Sequence, residues 1–180
     1  ALGHGQTYRE LMSDRTILID AQKGTVLPGF IDSHFHVVQT ALNSQCVDLG
    51  DAKSFQDIGD LIYERYKKEP NRPVHAIRMD IHNLKEKRFP TRQDLDRICS
   101  DTPVWINSSE YQTSVLNTCA LLYYKIPFTV QGVLFDEKQM PTGVFQRQAN
   151  AMLRANISNQ YSDFYRMDAL QNIMPQVAEA

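Results

Sequence analysis

The spacing of apolar positions along the chain switches between the two-residue period of strands and the three-to-four-residue period of helices. Thr16-Ile17-Leu18-Ile19-Asp20 is a short β-rich run closed by Gln22-Lys23-Gly24. Thr25-Val26-Leu27 resumes it before Pro28-Gly29 turns the chain, which predicts a small hairpin. Phe30, Ile31, Phe35, Val37 and Val38 are apolar on both parities, so 30–38 reads as a strand buried on both faces, as in a parallel sheet. Ser54 can cap a helix over 55–68: Ile58, Leu61, Ile62, Arg65 and Tyr66 recur at helical spacing, Asp57 stands three residues past the cap, and Pro70-Asn71-Arg72-Pro73 ends it.

The same reading continues downstream. Residues 74–81 predict a strand, Thr91 caps a helix through Cys99, 104–107 predict a strand and 114–125 a helix. Gly132-Val133-Leu134-Phe135 and Gly143-Val144-Phe145 flank Asp136-Glu137-Lys138-Gln139 as a second hairpin. A helix over 146–156 follows, then a last helix over 162–179 interrupted by Pro175. Strand and helix alternate, the signature of an α/β fold. No internal repeat, low-complexity segment or linker breaks the pattern.

Composition narrows the class. A chain of 180 residues with 42% hydrophobic and 22% charged residues has the makings of one globular core. The 19 basic and 21 acidic residues give a net charge of -2 with no long single-sign run, which argues against electrostatic capture of nucleic acid. No apolar stretch approaches the roughly 20 residues of a membrane span, and no basic-then-apolar leader opens the chain. A soluble, cytoplasmic protein is expected. Cys46, Cys99 and Cys119 form no C-x-x-C pair and read as reduced core thiols. The chain begins with Ala1, and Gln176-Val177-Ala178-Glu179-Ala180 carries no helix stop, so both ends look cut.

The candidate chemistry centres on His34-Phe35-His36. In a strand, residues i and i+2 project from one face, so two imidazoles would converge while Phe35 anchors the other side. Imidazole nitrogen is a good ligand for zinc and similar borderline ions at about 2.1 Å. Asp32 would share that face and either orient His34 by hydrogen bonding or cap the neighbouring turn. His75 and His82 are an odd number apart and would point to opposite faces of one extended segment, and His4 lies between Gly3 and Gly5 near the N-terminus; none of the three is given a ligand role. Trp105, within Val104-Trp105-Ile106, reads as core.

Gly24-Thr25-Val26-Leu27-Pro28-Gly29-Phe30-Ile31-Asp32-Ser33-His34-Phe35-His36 resembles the first barrel strand of the amidohydrolase superfamily. Thr91-Arg92-Gln93-Asp94-Leu95-Asp96, Thr102-Pro103-Val104, Val115-Leu116-Asn117-Thr118-Cys119-Ala120-Leu121 and Met140-Pro141-Thr142-Gly143-Val144 resemble its type 3 branch. The resemblance implies an α/β fold: a partial (β/α)8 metal-dependent hydrolase barrel over 28–180, with its insertion, behind a remnant of an N-terminal β-sandwich in 1–27. It implies hydrolysis of non-peptide or cyclic amide C–N bonds by metal-activated water. His34 and His36 would be metal ligands, and a divalent ion, zinc foremost, would bind as one or two ions. The catalytic residues and remaining ligands would lie beyond Ala180, so the isolated chain should be inactive.

A small-molecule amide-type substrate, no nucleic acid, no membrane and self-association through open sheet surfaces complete that expectation. One departure stands out: the branch usually has histidine where this chain has Gln112, which puts a substrate-facing role there in doubt. Two other readings compete. Ile31-Asp32-Ser33-His34-Phe35-His36 also fits the Asp-x-His-x-His opening of metal-dependent phosphoesterases and deoxyribonucleases of similar barrel type, although those begin at the motif without a preceding sandwich. A non-catalytic α/β module is the other, supported by Gln112 and the short chain.

Overall fold

The computed structural model describes residues 9, 10, 12–29, 31, 34, 36–70 and 72–179. The chain divides into two compact units, Ala1–Phe35 and His36–Ala180.

In the first unit the described residues form a 3-10 turn at 9–10, further turns and irregular chain without a strand ladder, so the hairpin expected at 16–27 is not formed. Ile17 and Ile19 are 86% and 85% exposed. A two-stranded hairpin is marginal in water unless its apolar face is covered, and alternating hydrophobicity alone supplies no cover. The strand expected over 30–38 also fails where it is described: Val37 and Val38 open helix α1 (Val37–Asn43), and Ile31 is 94% exposed. A short apolar run fits the first turn of a helix as well as a strand, and periodicity alone does not separate the two.

The second unit is built on a six-stranded mixed sheet. After α1 come β1 (Val47–Asp48), α2 (Phe55–Lys68), β2 (Val74–Met79), α3 (Arg92–Asp96), β3 (Val104–Ser108), β4 (Thr113–Leu116), α4 (Thr118–Tyr124), β5 (Val133–Phe135), β6 (Pro141–Gln146), α5 (Arg147–Gln160) and α6 (Asp163–Glu179). The strand order is β1-β2-β3-β4-β6-β5. β1, β2 and β3 run parallel, with Val47 opposite Ala76 and Val74 opposite Val104. β4, β6 and β5 continue the sheet antiparallel. The opening β-α-β-α-β part is thus the expected α/β arrangement, and it gives way to hairpin-connected strands.

Local signals explain the helices that were legible. Ser54 Oγ accepts the Asp57 amide at 3.2 Å and starts α2 at the expected residue. Thr91 and Asp94 form a reciprocal capping box at α3, which closes at Asp96 rather than continuing through Cys99. α6 runs through Pro175 instead of being broken by it. The helix expected over 114–125 begins late: Ser114, Val115 and Leu116 belong to β4, and α4 starts only after Asn117. The reason is Asn117 itself, which is fully buried. Its Oδ1 accepts the amides of Ala120 at 2.8 Å and Val104 at 3.0 Å, while its Nδ2 donates to the carbonyls of Cys99 and Thr102, both at 2.8 Å. A residue that caps one helix and ties two neighbouring segments fixes the strand-to-helix switch.

The sheet is covered on both faces. Val74 and Ala76 of β2 and Val104 and Ile106 of β3 pack with Ile58 and Ile62 of α2 and Leu95 of α3. Trp105, Leu116 and Phe145 pack with Leu121 of α4 and Leu153 and Ile157 of α5. Ala41 and Leu42 of α1 pack separately on Ala169 and Ile173 of α6.

Candidate functional site

His36 is the N-cap residue of α1, with φ -83° and ψ 61°, and its carbonyl accepts the Thr40 amide at 2.9 Å. His34 has no regular secondary structure, and both histidines are exposed. Asp32, like His4, lies outside the described residues. Two exposed imidazoles fit a borderline divalent ion in kind. Among the described residues, however, no group of three His, Cys, Asp or Glu side chains is placed to hold one.

His75 and His82 do not join them. β2 ends at Met79, so His82 leaves the strand altogether and sits exposed in a turn, its amide donating to Asp80 Oδ1 at 2.9 Å. The face-parity argument therefore does not apply to it. Gln112 is exposed in the turn joining β3 to β4. The cysteines carry no disulfide, and burial pushes the Cys46 thiol up to about 11 despite the nearby Arg65 and Arg72 charges.

The segments that carried the family resemblance meet one another around Thr118. Arg92 Nη1 donates to Thr118 Oγ1 at 3.1 Å, and its Nε donates to the Pro141 carbonyl at 2.8 Å. Thr118 Oγ1 in turn donates to Asp96 Oδ2 at 2.6 Å, and the other oxygen of Asp96 accepts the Thr118 amide at 2.8 Å. Gly143 completes the brace at φ +88°; a Cβ there would stand 2.4 Å from the Leu116 carbonyl oxygen and 2.8 Å from Arg92 Cβ. These motif residues hold α3, α4 and β6 together.

Among the described residues, two of the second unit's cavities are lined by polar and aromatic side chains. The larger, about 370 Å³, opens between α1, β3 and α5 and is lined by Gln39, Asn43, Trp105, Asn107, Arg154 and Ser158 among others. Two of its lining residues, Trp105 and Asn107, belong to a buried polar network. Trp105 Nε1 donates to Ser114 Oγ at 2.9 Å, and that oxygen lies 2.6 Å from Asn150 Oδ1 and 2.9 Å from the Asn107 side-chain amide. A hydroxyl has one proton, so when Ser114 donates to Asn150, Asn107 must turn its NH2 toward Ser114. Trp105 is thus the expected core residue, and it also forms a cavity wall.

The second cavity, about 270 Å³, lies at the N-terminal ends of β1 and β2. His75 lies in its wall, with Tyr124 Oη 2.7 Å from Nε2 and Tyr161 Oη 2.5 Å from Nδ1. Burial, with the Arg72 and Arg65 charges, pushes His75 down to about 4. Burial likewise pushes both tyrosines up. No local motif announces this cluster, because His75, Tyr124 and Tyr161 come from three separate segments.

Three parallel strands with crossover helices, preceded by a pair of histidines one residue apart, define an α/β protein carrying a paired-imidazole motif. The amidohydrolase family model, of the type 3 branch, matches residues 18–178, and the chain belongs to that family. An N-substituted formamide deformylase of Arthrobacter pascens is 26% identical over 155 residues, covering 81% of this chain and 28% of the relative. Two solved structures are similar. One is an uncharacterized metal-dependent hydrolase of Pyrococcus horikoshii OT3, with TM-score 0.65 and 24% identity over 83% of this chain and 29% of the other. The second is an uncharacterized metal-dependent hydrolase of Pyrococcus furiosus, with TM-score 0.60 and 25% identity over 79% of this chain and 28% of the other. The chain therefore spans under a third of the length of the proteins it matches. Among the described residues no helix is long and apolar enough to cross a membrane.

Proposed function

We propose that this chain is the first part of a metal-dependent amidohydrolase that cleaves non-peptide amide or cyclic amide C–N bonds in a small molecule. In this reading 1–27 belong to a β-sandwich and 28–180 to the opening of a (β/α)8 barrel. His34 and His36 bind a divalent ion, zinc foremost, through one ring nitrogen each, and Asp32 orients His34. The observation that carries the reading is the Pro28-Gly29-Phe30-Ile31-Asp32-Ser33-His34-Phe35-His36 string, which falls inside the family match at 18–178. The deformylase relative favours an amide-type bond as the target.

The chemistry such an ion supplies is activation of water as a nucleophile at neutral pH. The role of the two histidines is to fix the ion, with the other ligands and the catalytic acid–base group contributed by later strands. A catalytic zinc site takes about three protein ligands, so two imidazoles alone do not sustain turnover.

The test uses the protein with its complete barrel and a panel of N-substituted formamides and cyclic amides. His34→Ala and His36→Ala each lower kcat/KM by more than about 100-fold, beyond what loss of a ligand's supporting hydrogen bond costs, while the unfolding midpoint barely moves. Unchanged turnover in either variant overturns the ligand assignment. Chelator-sensitive turnover by the 180-residue chain alone overturns the division of the site between this chain and later strands.

A further inference from the structure

The cavity at the N-terminal ends of β1 and β2 has a chemistry of its own. Its walls carry rings: Tyr124 and Tyr161 flank His75, which meets Tyr161 edge-on at 5.8 Å, and Tyr165 stacks on Tyr161 at 5.1 Å. Edge and face contacts of this kind favour a flat, polarisable guest over a branched one. At about 270 Å³ the space is slightly below the range of ordinary small-molecule pockets, so the guest is small.

Charge decides its sign. Arg65 and Arg72 both line the cavity, and both are paired with a single carboxylate, Glu69, at 2.7 and 2.9 Å. Those guanidiniums hold the Glu69 carboxyl down to about 2, so it is ionised at neutral pH. Two fixed positive charges against one negative leave one positive charge in excess. Arg72 meets Glu69, Gln45 and the Tyr165 ring, and of its five N–H groups some remain to donate.

A proton count adds a second donor. A neutral His75 carries one ring N–H; it donates to one of the two tyrosine oxygens and accepts from the other. The tyrosine that accepts still has its own hydroxyl proton. Among the described residues neither Tyr124 nor Tyr161 makes another hydroxyl hydrogen bond, so one O–H is left over at the cavity wall. Buried donors without an acceptor are costly, and a ligand oxygen would satisfy this one.

We propose that this cavity binds a small planar monocarboxylate, its ring against the tyrosine rings that line the cavity and its oxygens on Arg72 and the surplus tyrosine hydroxyl. The site is separate from the metal reading, because it uses neither His34 nor His36 and sits at the N-terminal ends of β1 and β2.

The test titrates benzoate, benzamide and acetate into the protein, following heat and the His75 ring resonances. Benzoate saturates in the millimolar range or below and shifts the His75 signals. Benzamide, of the same shape without the charge, binds at least about tenfold more weakly. Acetate, with the charge but no ring, does the same. The double variant Tyr124→Phe/Tyr161→Phe keeps both rings and loses both hydroxyls; Arg72→Gln changes a half-exposed side chain. Each weakens benzoate about tenfold, the loss expected for one hydrogen bond to a charged group. Absence of saturation, equal binding of benzamide or acetate, or full affinity in both variants overturns the proposal. Each result is read with chelator present, so failure here leaves the metal reading untouched, and the reverse holds.

Discussion

His75 presents both ring nitrogens to phenol oxygens, at 2.7 and 2.5 Å, in a wall that also faces the Arg72 and Arg65 guanidiniums. No carboxylate lies among the cavity-lining groups to balance an imidazolium. The folded ring therefore resists protonation down to about 4, against an ordinary value near 6.5. The unfolded chain takes up the proton first as pH falls. The contribution of His75 to stability is thus complete above 6.5 and lost progressively on the way to 4, at most about 3 kcal/mol. Glu69, held down to about 2, acts in a different window: its contribution is present above its ordinary carboxylate value and is lost as pH falls toward 2. Urea unfolding at pH 7.5 and pH 4.5 separates the two. The parent protein loses stability between these values, and His75→Gln loses markedly less; equal losses would show that His75 is not the group responsible.

At the scale of elements, the junction of α3, α4 and β6 shows a backbone constraint that a substitution can probe. Gly143 sits in the left-handed region, at φ +88°, with the Leu116 carbonyl oxygen in the place a side chain would occupy. Gly143→Ala should cost about 2–3 kcal/mol or more, combining an unfavourable φ with a clash against backbone that Arg92 and Thr118 hold in place. Gly29→Ala is the matched control, since a Cβ there meets nothing within 4 Å. The urea midpoint should fall sharply for the first and stay within about 0.5 kcal/mol of the parent for the second; similar midpoints for both would show that the junction yields.

The same elements show why some boundaries were legible and others were not. Ser54 and Thr91 announce α2 and α3 because a cap is a local hydrogen bond, made within three residues. Asn117 is also a cap, yet three of its four bonds reach segments 13 to 18 residues away. Nothing in Ser114-Val115-Leu116 distinguishes the first turn of a helix from a buried strand until β3 and β6 are present on either side to pair with it.

At the scale of the whole molecule, the sheet of the described residues ends at β1 and β5, and β1 is only two residues long. Ile17, Ile19, Ile31 and Leu122 are each more than 70% exposed. Unpaired edges and exposed apolar side chains favour association. Sedimentation of the 180-residue chain should therefore show a weight-average mass that rises with concentration. A monomer mass that stays constant up to high concentration would count against this.

The sequence by itself determined what depends on near neighbours: the caps and amphipathic stripe of α2, the hairpin of β5 and β6, the alternation of strand and helix through β3, and the His34-Phe35-His36 string that lies inside the family match. The tertiary structure alone decided what depends on distant ones. It set Val37 and Val38 in a helix and left 16–27 without a ladder, because a strand forms only where a partner edge exists to take its hydrogen bonds. It brought Thr118 between Arg92 and Asp96. It also placed His75 between tyrosines 49 and 86 residues further along the chain. A pocket assembled over such separations has no period or spacing to read, since its members share a location only after the sheet has folded.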